Sequence, residues 1–139
     1  MYLSDERGIE SLVGQKILDI QITRNQPKLD DYIIFKTTNI DGIEKTYHMY
    51  HSQDCCENVY IEDICGDIND LIGQEIVNAY KSSNSEDDPG DNYVDNTYTW
   101  TFYNIQSTKG SVSIRWFGSS NGYYSEEVNF MLVRLSIKR

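Results

Sequence analysis

Polar and apolar residues alternate along most of this chain. In "KILDIQIT" (16–23), Leu18, Ile20 and Ile22 fall on one side, the two-residue period of a half-buried strand. Further strands are predicted at "DYIIFKTT" (31–38), "EKTYHMY" (44–50), "NVYIEDI" (58–64), "TYTWTFYNI" (97–105), "GSVSIRWFG" (110–118) and "EVNFMLVRLSIK" (127–138). Asp41-Gly42 and Lys109-Gly110 supply hairpin turns. Convincing helices are absent. "ERGIESLVG" and "GDINDLIG" each predict a helical turn or two, closed by a C-terminal glycine. The stretch 82–96, "SSNSEDDPGDNYVDN", predicts a flexible acidic loop around Pro89-Gly90. Trp100 and Trp116 alternate with Phe102 and Ile114 and are expected in the core.

The two glycine-ended turns repeat. "LVGQKI" (12–17) and "LIGQEI" (71–76) match closely, and strands, hairpins and polar loops follow each in the same order. Tyr32 and Tyr98 each open a strand at comparable places. This predicts one domain over residues 1–139, with an internal repeat of 12–64 and 71–130. The expected fold is mainly β, α+β at most. It has two pseudo-symmetric halves of about four mostly antiparallel strands, each preceded by a short helical turn. The loop holding Cys55, Cys56 and Glu57 becomes the counterpart of the loop holding Tyr123, Tyr124, Ser125 and Glu126.

Charge narrows the partners. A formal net charge of −10 repels nucleic acid and anionic membranes, so no direct nucleic-acid or membrane partner is expected. No apolar run approaches the roughly 18 residues of a spanning helix. The N-terminal stretch lacks the basic and apolar regions of an export signal. Three cysteines, one pair adjacent, do not make a secreted disulfide framework. Reduced thiols and a cytoplasmic location are expected.

Candidate chemistry concentrates in two loops. "HSQDCCENVYIEDI" (51–64) offers His51, Cys55 and Cys56 as zinc ligands, but adjacent cysteines chelate one ion poorly, and no metal or cofactor is expected. A Cys–His nucleophile is disfavoured because Asp54, Glu57, Glu62 and Asp63 would raise the thiol pKa. Cys55 and Cys56 are expected to pack as small buried side chains rather than form a strained vicinal disulfide. The second loop, "RWFGSSNGYYSEE" (115–127), combines an arginine fork, short polar groups and two tyrosines, a kit for a base, a sugar and a phosphate. One pocket built from both loops is expected. His51, Gln53, Asp54 and Glu57 would come from the first, and Arg115, Asn121, Tyr123, Tyr124, Ser125 and Glu126 from the second. Arg115 should face away from Val112, Ile114 and Trp116, and meet either a neighbouring acid or a ligand anion.

These segments, with "GDINDLIG" and "YTWTFYNI", resemble a small uncharacterised domain family of phages and prophages of Gram-positive bacteria, over about residues 10–130. The resemblance carries no catalytic assignment. It implies a phage accessory protein working in the host cytoplasm and countering a host defence. The leading expectation is a non-catalytic protein, with homo-oligomers allowed, that sequesters a small anionic nucleotide-like ligand. The alternatives are an acidic DNA mimic or direct inhibitor of a host nuclease, and a small hydrolase using the Asp-Cys-Cys-Glu loop with paired carboxylates such as Glu57 and Glu126.

Overall fold

The two matching hexapeptides lie against each other, and their hydrogen bonds are reciprocal. Gly14 N–H donates to the Ile76 carbonyl (2.8 Å), and Gly73 N–H to that of Ile17 (2.7 Å). Ile17 N–H donates to Gln74 (3.0 Å), and Ile76 N–H to Gln15 (2.9 Å). Both glycines take positive φ, +85° and +81°, where a Cβ is strained. Each ends a 3-10 turn, Ile9–Leu12 or Ile68–Asp70, as the glycine spacing predicts. Leu12, Leu71, Ile17 and Ile76 are fully buried, so the twin turns form one plug of the core.

The computed structural model describes residues 2–88 and 96–135. Its strands are β1 (Tyr2–Glu6), β2 (Lys16–Thr23), β3 (Tyr32–Thr38), β4 (Glu44–Tyr50), β5 (Asn58–Cys65), β6 (Ile76–Asp88), β7 (Asn96–Ser107), β8 (Ser111–Ser120) and β9 (Asn129–Leu135). They form two antiparallel sheets, ordered β1-β9-β4-β3-β2 and β5-β8-β7-β6. Each half therefore builds a three-stranded meander and sends its fourth strand to the other half's sheet. β5 pairs with β8, and β9 pairs with β4. The expected mainly β, pseudo-symmetric fold is what the structure shows, and β1 and β6 are edge strands that the sequence pattern did not reveal.

One hydrophobic cluster fills the space between the sheets. Trp116 Nε1 on β8 reaches Met49 Sδ on β4 (3.3 Å), and Tyr47 stacks on Phe130 with centroids 5.2 Å apart. Burying each such side chain contributes about 1.5–3 kcal/mol.

Three sequence expectations need correction. A bulge between Ile17 and Asp19 resets the phase of β2, so Ile17 is buried and Leu18 is exposed, while Ile20 and Ile22 pack inward. β6 has its own bulge at the matching place, between Ile76 and Asn78, which leaves Val77 exposed. Residues 82–88, expected in the acidic loop, continue β6 in unbroken pairing with β7; residues 89–95 of that loop lie outside the described residues. Antiparallel pairing with β7 satisfies the backbone of this segment without apolar side chains. Trp100 and Phe102 face outward, because Thr101, Tyr103 and Ile105 hold the inward positions of β7.

The second half is longer than the first. The Thr37 hydroxyl donates to the Lys45 carbonyl, and the Ser107 hydroxyl to that of Gly110, marking matched places. From there β4 runs only to Tyr50, whereas β8 runs to Ser120. The extra length of β6, β7 and β8 carries the features described next.

Candidate functional site

The 51–57 loop is built around Glu57, whose side chain is buried. Its carboxylate accepts from His51 Nε2 (2.9 Å), Gln53 Nε2 (3.2 Å), Asp54 N–H (3.0 Å) and Cys55 N–H (2.9 Å). Burial pushes the Glu57 pKa up, but the amides of Glu57, Asp54 and Cys55 and the His51 ring together bring it down from 4.5 to about 2. His51 Nδ1 donates to the Glu127 carbonyl (2.6 Å), which ties this loop to the second one. Both ring nitrogens of His51 meet oxygens of the two loops. His51, Gln53 and Glu57 are thus committed to holding the loop. Cys55 and Cys56 are exposed and joined as a vicinal disulfide, neither reduced nor packed under the sheet as expected from their number and size. Cys65 is free and exposed. Among the described residues no cluster of three or more His, Cys, Asp or Glu side chains could hold a metal ion.

In the second loop, Asn121 Oδ1 accepts from Tyr123 N–H (3.0 Å) and Ser125 Oγ from Glu127 N–H (3.1 Å), so both shape the turn. Tyr123 is exposed and meets Tyr124 edge-on at 5.0 Å. Glu126 folds inward over Gly118, where a Cβ would come within 2.9 Å of it. Its Oε2 accepts from Thr97 and Ser120 hydroxyls, each at 2.5 Å. Glu57 and Glu126 are therefore each held by groups of their own surroundings.

Arg115 faces the outer side of the second sheet, as expected. Its Nε meets Glu62 Oε1 at 2.6 Å, and its Nη2 lies 4.0 Å from Asp63. The same face carries a run of rings. Phe117 lies 5.7 Å from Tyr60, 5.9 Å from Tyr98 in a stacked pair and 5.2 Å from Trp100. A shallow, open groove of about 290 Å³ at one end is lined by Arg115, Glu62, Trp100, Phe102, Asn84 and Glu86. At the other end a hollow of about 320 Å³ is lined by Cys56, Asn58, Tyr98, Ser119, Ser120 and Asn121, where the two loops meet.

The chain matches the profile of a domain of unknown function, DUF7448, over residues 10–130. It belongs to the DUF7448 family. The match takes in both twin turns and all the rings of the outer platform, and leaves out β1. No curated protein and no solved structure is detectably similar. The DUF7448 chain thus brings together two loops, as its sequence predicts, but Arg115 stands apart from them on the platform. Of the ten residues expected in one pocket, Asn121 lines the hollow between the loops, Arg115 the groove, and Ser125 and Glu126 a third, separate cleft. Tyr60, Tyr98 and Phe117 were missed as site candidates. Tyr98 stands at a two-residue spacing with Trp100 and Phe102, but the threonines between them made that ring face look like the buried one.

Proposed function

We propose that the protein is a non-catalytic binding protein that takes a small anionic, nucleotide-type ligand on the outer face of its second sheet. The observation that carries this is Arg115 lining a shallow groove beside the ring platform of Tyr60, Tyr98, Trp100 and Phe117. The core lies on the sheet's other face, so these rings are not needed to fill it. A planar base stacks on such rings, and a guanidinium binds an anion with charge-assisted bonds. Glu62 holds the guanidinium in place and would share it with the ligand. Asn58, Ser119 and Asn121 at the far hollow suit the neutral polar edges of a base or sugar. The net charge of −10 favours a small anion held in a groove over a long polyanion. In the phage setting that the sequence resemblance implies, sequestering a nucleotide signal would blunt a host defence that depends on it.

Titration with nucleoside phosphates and cyclic dinucleotides, followed by tryptophan fluorescence, tests the reading. Trp100 lies on the platform and Trp116 in the core. Ligand-dependent quenching should therefore vanish in Trp100→Phe and persist in Trp116→Phe. Absence of quenching by every nucleotide, with no small molecule retained in native mass spectrometry of the purified protein, overturns it.

A further inference from the structure

The pseudo-symmetry exposes a second site. Past the shared bulges, Ile20 opposite Phe35 matches Ala79 opposite Ile105, and Ile22 opposite Ile33 matches Lys81 opposite Tyr103. The next inward pair is Arg24 and Asp31 in the first half, and Ser83 opposite Thr101 in the second. The strand across the gap matches too. Trp116 opposes Ile61, and counting on from Tyr50 opposite Asn129 puts Val128 in the corresponding place.

In the first half this gap is plugged by the chain itself. Arg24 Nη2 donates to the carbonyls of Ile61 (3.2 Å) and Glu62 (3.1 Å), and Asp31 Oδ2 accepts the Ile61 N–H (2.8 Å). In the second half, among the described residues, no long side chain takes that place. A cleft of about 260 Å³ is left, lined by Ser83, Thr99, Thr101, Glu126, Val128 and their neighbours Lys81, Ser125 and Glu127. Glu126 is 9% exposed, and its Oε1 has no hydrogen-bond partner among the described residues. A buried carboxylate oxygen without a donor is costly, and a donor supplied from outside would relieve it.

We propose that this cleft is a binding site for a guanidinium group, occupying the place that Arg24 fills in the other half. The hydroxyls of Ser83, Thr99 and Thr101 and the carboxylates of Glu126 and Glu127 supply acceptors for its planar set of N–H donors. Lys81 is exposed at the rim and opposes a cation, and the two carboxylates outnumber it. The cleft shares no lining residue with the Arg115 groove, so the proposal stands apart from the nucleotide reading.

The test is an NMR titration of isotope-labelled protein with agmatine and methylguanidinium, with a Gly-Arg-Gly tripeptide as a further arm. Saturable shifts confined to the amides around Ser83, Thr99, Thr101 and Val128 are expected. A tripeptide that binds as well as agmatine points to an arginine of a protein partner, and one that is excluded points to a free metabolite. Ser83→Arg, which restores the first-half plug, should weaken agmatine binding at least about tenfold without lowering the melting temperature. Thr99→Leu, which narrows the cleft from its half-exposed wall, should do the same if Ser83→Arg fails to fold. The proposal is overturned by the absence of saturable shifts, by shifts with inorganic phosphate in place of guanidinium, or by full binding in both variants.

Discussion

Asp31 accepts the backbone N–H of Ile61 at 2.8 Å across the gap between the sheets. The bond lands at the β5 bulge between Ile61 and Asp63 and sets the backbone from which Glu62 reaches Arg115. Asp31→Ala leaves a buried N–H without an acceptor, which costs about 1–3 kcal/mol. Asp31→Asn keeps an acceptor oxygen and should cost less. Urea unfolding of the two variants reads the difference, and equal losses would show that the Ile61 bond is not the cause.

Arg115→Ala should leave the melting temperature nearly unchanged, because a partly exposed ion pair is worth about 0–1 kcal/mol. Binding of the platform ligand should fall roughly ten- to a hundred-fold, the loss of a charge-assisted bond. Parallel melting and fluorescence titrations separate the two effects. Intact binding would remove Arg115 from the site.

The carboxylate of Glu57 has a depressed pKa, so the stability it contributes is fully present above its ordinary value of 4.5. That stability is lost as the pH falls from 4.5 through about 2. Acid titration of the melting temperature should show this limb in the wild type. Glu57→Gln should lower the plateau and flatten the limb, and an unchanged slope would show that other carboxyl groups set the acid transition.

Cys65 is exposed, yet it should alkylate slowly. The Asp63 carboxylate accepts its thiol proton at 3.2 Å and pushes its pKa up, chiefly through that hydrogen bond and then through charge. Asp63→Asn should speed reaction with iodoacetamide near pH 8. A rate no faster than that of the wild type counts against the pairing.

Gly14→Ala and Gly73→Ala should each cost about 1–2 kcal/mol, the strain of a Cβ at positive φ. At either glycine nothing lies within 4 Å of the place the new methyl group would take, so packing adds no further penalty and the two losses should agree. A large disparity in their unfolding midpoints would mean that the twin turns are not equivalent in energy.

The alternation in "VSIRWF" places Trp116 inside and Arg115 outside, and the hexapeptide match foretells the twin turns, because both depend on local period and glycine conformation. Leu18 and Trp100 defeated the same logic. A bulge shifts the phase after Ile17, and on β7 both faces carry large side chains, so period alone does not say which face is buried. The site was legible as two polar loops, but its rings come from three strands that only the sheet order brings together. The Arg24 plug was invisible, since its partner is a backbone carbonyl on a distant strand.

The exchanged fourth strands also have a kinetic consequence. During synthesis β4 has no partner on its far side until β9, the last described strand, leaves the ribosome. β5, made early, must wait for β8 in the same way. Neither half closes its own layer, so such a chain is expected to fold late and all at once rather than half by half. A nick in the link between β5 and the second turn would leave two pieces, each holding the strand the other lacks, which could recombine only as a pair.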